Sequence, residues 1–533
     1  MGREVNIDSI RALEEQIKEY GGTIIKLKRA RNLLLNVSTL PPEVLGNVFR
    51  QNITRKGPFS GPEESSYSFL LVCHHWHEVA SRTPELWTFW GNNFQDWDRR
   101  YLRSSVAIPF DLVLDGLTHI LGNISKHQQT VLKERARRDT IRRVHLRSDM
   151  HGLLVSIISP LLSPSGGLQA SSLESLILWS EDEVPLDVSF LAHSRLLKLQ
   201  HLELSNCTVT SWDCLGSQTR LLTALDLSFN ETSPTPTMSQ LLSVLAFNPR
   251  LQRLRLRATA LPADDDHGLP QVSLSHLEEL RLHGDLRQVF GLLHRLKYHK
   301  NAALTLSLLH SQVADITQTI GPHLRDYLRR RGTPRKGLGL FISSGTLGSV
   351  VFTLGVPQEF SPSPSIEARM YAFVSINVEL DQAQQSLLEG LTLDLIAHIP
   401  RDDVVYFRTC GNLAVVKNLR VQLPNLQTLD LLRLPLPAIF PRVDRHPSDM
   451  QEILPPSLQH IFMKQAFVGS LNWLPLVAYL TRRAASGNRL DSLLIDGPCH
   501  VCWSVTVKVK ALVREFKIDR QFTRSWCPFG SCL

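Results

Sequence analysis

No stretch of this chain is both apolar and long enough to cross a bilayer, which takes about 18 to 20 residues, so no membrane-spanning helix is expected. The opening Met1-Gly2-Arg3-Glu4-Val5-Asn6 lacks the apolar core of a secretory signal. Cysteine is sparse, eight in 533 residues, and without a secretory signal these thiols read as reduced. An intracellular protein, cytoplasmic and/or nuclear, is the expectation. The phosphate loop Gly-x-x-x-x-Gly-Lys, the dinucleotide fingerprint Gly-x-Gly-x-x-Gly after a strand and the zinc helix His-Glu-x-x-His are all missing. Neither catalysis nor a cofactor is expected. Aromatics are not interleaved with the arginines, which argues against nucleic acid as a partner. One metal-like pattern exists: Cys499-His500-Val501-Cys502 with Cys527 and Cys532. Four thiolates can hold zinc tetrahedrally, but the second pair is widely spaced and a strand-like run, Ser504–Val513, intervenes. No metal is expected there.

What is present is an ordinary globular balance, 43% hydrophobic and 20% charged, with a mildly basic net charge of +8. At 533 residues the chain needs two or more modules or one elongated repeat. Near its start, Ile10, Leu13, Ile17, Tyr20, Ile24 and Leu27 follow the alternating three-four spacing of a heptad seam, flanked by charge. Gly21-Gly22 interrupts it, so two readings stay open. One is a helical hairpin or single kinked helix; the other is a homodimer through residues 7–27.

The sharpest motif follows. Leu40-Pro41-Pro42-Glu43-Val44-Leu45 places prolines where a first helical turn has no use for N–H groups, and a carboxylate where the helix dipole favours one. Val44, Leu45, Val48 and Phe49 give that helix an apolar stripe; Phe69, Val72, Cys73, Trp76 and Val79 give a second helix another. Pro84-Glu85-Leu86-Trp87 closes the segment. Some fifty residues with two or three short helices cannot bury all of this surface internally. The three ordered blocks, over residues 38–90, resemble an F-box, with an unusually long Gly/Pro/Ser link at Gln51–Tyr67. The resemblance implies binding to a Skp-family adaptor, and through it a cullin, by Leu40, Pro41, Pro42, Leu45, Val48, Phe49, Val72 and Trp76. It also implies a role as substrate-recognition subunit of an SCF-type ubiquitin ligase. A repeat scaffold without ubiquitin transfer is the alternative.

Beyond about residue 100 the chain repeats itself. Leu173-x-x-Leu176-x-Leu178 recurs from Leu199, Leu222, Leu251 and Leu277, at steps of 26, 23, 29 and 26 residues. Ile141-x-x-Val144-x-Leu146 is an earlier degenerate copy, and copies from Leu426, Leu458 and Leu490 follow at steps of 32. This is the leucine-rich-repeat period, one short strand and a returning helix or loop per unit. Met238–Phe247, Asp285–Lys297, Asp315–Arg331, Asp381–His398 and Ser470–Arg483 read as returning helices. The stretch 332–380 is irregular, with strand-like runs at Gly339–Ser343, Ser349–Leu354 and Met370–Val378 and a loop around Pro357–Pro364. The expected fold is therefore α/β: an N-terminal helix (1–37), a short helical F-box (38–95), then an irregular leucine-rich-repeat solenoid (105–533) with parallel strands on its concave face.

In such a unit the leucines point inward and the residues flanking the middle leucine point to the concave face. That face would carry Arg143, His145 and Arg147 on one strand and His201 and Glu203 on a later one. Arg253, Arg255 and Arg257, with Arg281 and His283, would then form one basic patch across adjacent strands. Guanidinium forks suit carboxylates and phosphates, so one reading is an acidic or phosphorylated protein substrate bound by these five residues; the other is an ordinary solvated face, partly neutralised by Glu203, Asp226 and Glu279.

Overall fold

The computed structural model describes residues 7–34, 40–53, 64–90, 108–114, 126–162, 171–182, 184–229, 235–258, 261, 268–309, 313–332, 338–344, 349–357, 370–379, 387–410, 419–432, 454–464, 473–496 and 503–518. Cys499, Cys502, Cys527 and Cys532 and most of the Pro357–Pro364 loop lie outside these residues. The molecule divides into two compact units, Met1–Pro234 and Thr235–Leu533, a boundary inside the range read above as one array. Both units are mixed α/β, and each is organised on a mostly parallel sheet.

Unit one begins with α1, Ile7–Leu33, a single helix that runs through Gly21 and Gly22. Each glycine costs about 1 kcal/mol relative to alanine inside a helix. A Cβ at either position would meet nothing within 4 Å, so the chain's own packing does not require them. Helix α2, Pro42–Asn52, starts on the Pro-Pro pair, and α3, His74–Ser81, follows a 3-10 segment, Glu64–Leu71. A second 3-10 turn, Pro84–Trp87, closes the helical part.

Eight strands follow: β1 (Phe89–Trp90), β2 (Phe110–Leu114), β3 (Ile141–Ser148), β4 (Ser175–Ser180), β5 (Leu186–Asp187), β6 (His201–Ser205), β7 (Cys207–Thr208) and β8 (Ala224–Phe229). β1, β2, β3, β4, β6 and β8 pair in that order, every pair parallel. β5 and β7 form a separate two-residue ribbon. The register stacks the repeated residues into columns: Val144, Leu176, Leu202 and Leu225, then Leu146, Leu178, Leu204 and Leu227. All eight side chains are essentially fully buried, worth roughly 1.5–3 kcal/mol apiece. Buried polar groups close the turns into the repeats of both units. Thr219 in unit one and Asn248 in unit two, each three residues before a first leucine, donate to the carbonyls of Leu215 and Val244 at 2.8 and 2.9 Å. They satisfy helix-end acceptors that the core would otherwise strand.

Unit two carries β9 (Arg253–Ala258), β10 (Val272–Leu274), β11 (Glu279–Asp285), β12 (Leu296–Tyr298), β13 (Ala303–Leu309), β14 (Leu338–Ser344), β15 (Ser349–Pro357), β16 (Met370–Glu379), β17 (Val404–Cys410), β18 (Thr428–Leu432), β19 (His460–Lys464), β20 (Leu490–Asp496) and β21 (Val513–Ile518). β9, β11 and β13 pair in parallel, as do β17 through β21, again with apolar residues in columns. Helices Met238–Phe247 and Leu286–Arg295 begin on reciprocal capping boxes, Thr237 with Gln240 and Asp285 with Gln288.

The irregular stretch corrects the expectation of uniformly parallel strands. β13 pairs in parallel with β16, β16 and β14 flank an antiparallel β15, and β14 pairs in parallel with β17. Chain order is reversed across this insert. Only four residues separate Ser344 from Ser349, too few for the crossover of a dozen or more that parallel neighbours need, so a hairpin forms. A second correction concerns Ser504–Val513, whose alternating valines read as a strand. The structure has a helix, Trp503–Leu512, followed by β21. Val509 is buried and Val505, one turn before it, half-buried, while Val507 is exposed, a helical rather than alternating pattern, so packing overrides β-branched propensity.

A half-buried imidazole makes unit two sensitive to acid. His323, edge-on to Phe290 at 5.5 Å, is pushed down to about 4 by burial, with Arg330 and His294 adding repulsion and Asp326 opposing them. Its neutral form is favoured in the fold, so its contribution is complete above the unfolded value near 6.5 and is lost as pH falls towards 4. His398 and His460 shift in the same direction. Replacing His323 by Phe should remove on the order of 2–3 kcal/mol of the stability lost between pH 7 and 4.5, read by denaturant unfolding at each pH.

Candidate functional site

The helical segment at 40–90 has a complete small core. Leu45, Phe49, Phe69, Leu70, Val79, Ala80, Leu86 and Trp87 are buried together, with Trp76 and Tyr67 packed against them. Phe49 stacks on Phe69 at 4.4 Å between centroids and tilts against Trp76 at 5.2 Å; Tyr67 stacks on Trp87 at 5.9 Å. The Trp87 indole donates to the Ala80 carbonyl at 2.9 Å, fixing the closing turn on α3. A Cβ on Gly46 would lie 3.1 Å from the Thr83 hydroxyl, so α2 approaches that turn closely.

This core sorts the eight residues read as adaptor-binding. Leu45 and Phe49 are fully buried and influence any docking through the fold. Leu40 and Trp76 are half-buried. Pro41, Pro42, Val48 and Val72 are exposed, and Val44 and Leu71, unremarked in that set, join them. Pro41, Val44 and Val48 share one stripe of α2, and Leu71, at 89% exposure, and Val72 precede α3. The sequence periodicity holds both sets but does not separate inward from outward residues.

The basic residues are brought together as expected. Arg255 lies opposite Arg281, Arg257 opposite His283, and Arg253 opposite Glu279 on the paired strands β9 and β11. Glu279 modifies the patch. Its carboxylate receives Arg255 Nη2 at 3.2 Å and also Arg281 Nε, so one anion bridges the two central cations. Arg281 nevertheless keeps 52% of its side chain exposed, against 19% for Glu279. Across β13 and β16 the same rows continue as polar groups that sequence reasoning did not single out. Arg281 faces Thr305, then Ser375; His283 faces Ser307, then Asn377. Guanidinium forks thus grade into hydroxyls and an amide on one face.

In unit one the corresponding positions are tied into the protein. Arg142 grips the buried Asp111 with two bonds of 2.9 and 2.8 Å, and Arg143 stands 3.8 Å from the same carboxylate. His145 Nε2 is 2.8 Å from the Ser175 hydroxyl. Arg147 lies over the Trp179 ring at 4.1 Å and pairs with Glu181. Further along unit two, Arg408 lies 3.6 Å from buried Asp430, which also accepts the Tyr406 hydroxyl at 3.0 Å. Burial, with the Asp430 charge beside it, pushes the Tyr406 phenol far up, so it remains a donor. Sequence reasoning missed this set, although it occupies strand positions equivalent to those of the arginines. Among the described residues no group of three or more His, Cys, Asp and Glu side chains is placed to hold a metal ion.

The sorting makes a stability prediction. Phe49→Ala should cost about 3–5 kcal/mol through the cavity it leaves, and Val72→Ala less than about 0.5 kcal/mol, measured by hydrogen exchange of the α2 amides. No protein-family model matches the chain, and no curated protein is similar to it in sequence.

Proposed function

We propose that this chain is the substrate-recognition subunit of an SCF-type cullin–RING ubiquitin ligase. Residues 38–95 serve as the F-box that docks a Skp-family adaptor, and the strands from β2 onward form an irregular leucine-rich-repeat solenoid that holds the substrate. The observation that carries the reading is the apolar surface left over by the small core: Val44, Val48, Leu71 and Val72 remain exposed, as do Pro41 and Pro42. A segment that already packs its own aromatic cluster gains nothing from four more solvent-facing aliphatics, whereas a docking partner does. The chain supplies positioning rather than bond chemistry, presenting a substrate to a ubiquitin carrier held elsewhere.

Two experiments test it. Val48→Asp with Val72→Asp in the full chain should leave the fold intact, since both residues are exposed, and abolish copurification of a Skp-family adaptor. If wild-type chain carries no adaptor, the ligase reading fails and a binding scaffold remains. On the substrate side, the β9–β11 face selects an acidic or phosphorylated segment. Exposed pairs are individually worth under about 1 kcal/mol, so such a segment must engage several cations at once, and salt weakens it. Arg255→Glu with Arg281→Glu should eliminate copurifying substrates while adaptor capture persists. An unchanged set of partners would make this face merely solvated.

A further inference from the structure

The apolar seam of α1 is open to solvent along its whole length. Ile10, Leu13, Ile17, Tyr20, Ile24 and Leu27 are all exposed, Ile17 by 70% and Tyr20 and Leu27 by 66% each. The helix spans 27 residues, about 40 Å at 1.5 Å per residue, and amphipathic helices of this kind draw their stability from packing against a neighbour. Charge along it is uneven. Between residues 10 and 31 the half before the glycine pair mixes Glu14, Glu15 and Glu19 with Arg11 and Lys18, a net charge of −1, and the half after it carries only cations, Lys26, Lys28, Arg29 and Arg31, a net +4.

We propose that α1 pairs with α1 of a second copy of this chain in an antiparallel coiled coil. Heptad spacing by itself permits either direction. A parallel pair sets the two wholly cationic halves side by side; an antiparallel pair sets each of them beside the half that carries Glu14, Glu15 and Glu19. Turning the helix about its midpoint brings Tyr20 against Ile24 of the second copy, Ile17 against Leu27, and Glu14 alongside Lys28. One glycine then makes sense. Gly21, next to the seam residue Tyr20, falls beside the two-fold axis, where a residue without Cβ lets the partner approach although nothing in its own chain fills that space. The inference stands on the helix alone and does not require the adaptor reading.

The test uses the full chain in two tagged forms, wild type and a charge-swapped variant carrying Glu14→Lys, Glu15→Lys, Glu19→Lys, Lys26→Glu, Lys28→Glu and Arg29→Glu. Each should sediment as a dimer at micromolar concentration, weakened at least several-fold as salt rises from about 50 to about 500 mM, where screening shortens to a few ångströms. Mixed together, the two should self-sort, because a mixed antiparallel pair sets like charges side by side; Ile17→Asp with Ile24→Asp should yield monomer. Co-capture of wild type with the swapped chain would show a parallel pair and overturn the proposal. So would a monomeric wild type, its seam then serving another protein, or a dimer that survives the aspartates.

Discussion

Parallel strands have no hairpin to hold their register, so the sheets depend on one constraint: every repeat must present its leucines at the same height. The columns Leu254–Leu280–Leu304 and Leu256–Leu282–Leu306 meet it residue for residue. A slip of one position would turn each buried leucine outward and drive a charged neighbour such as Arg255 or Arg281 into the core. The same constraint that closes the interior therefore fixes the exterior. The charged and polar residues between the leucines have no choice of position, and rows of like chemistry arise on one face because the inner face is uniform.

Polar groups take over where the columns end. Arg483 is nearly buried and donates to the carbonyls of Pro455, Pro456, Leu458 and Asn488, tying the turn before β19 to the turn before β20. Arg135 is buried against the Phe110 ring at 4.0 Å, and burial lowers its guanidinium to about 10. Cations spent this way are structural, and a count of arginines overstates how many face a partner.

The leucine spacing was legible because its chemistry is repetitive, and it located β3, β4, β6, β8, β9 and β11 and the opposition of Arg255 with Arg281. The bridging role of Glu279 was not, since register tells which residues are neighbours and not which rotamers meet. At 40–90 the periodicity held Leu45 and Val48 in one stripe, and only packing against Phe69 and Trp87 separates the buried from the exposed. β15 was legible as a strand but its direction was not: its composition resembles that of its neighbours, and direction resides in the four-residue link before it. Val505, Val507 and Val509 misled because their alternation mimics a strand while their burial follows a helix.

The reversed insert has a consequence for assembly. As the chain emerges from a ribosome, β13 is complete at residue 309 but its partner β16 is not finished until residue 379, and β14 must wait for β17 beyond residue 404. The free edge of β13 thus stays unpaired during the synthesis of some seventy residues, several seconds at 5–20 residues per second. Unpaired edges of this kind recruit other strands, so the reversed insert lengthens the time in which a growing chain can pair wrongly.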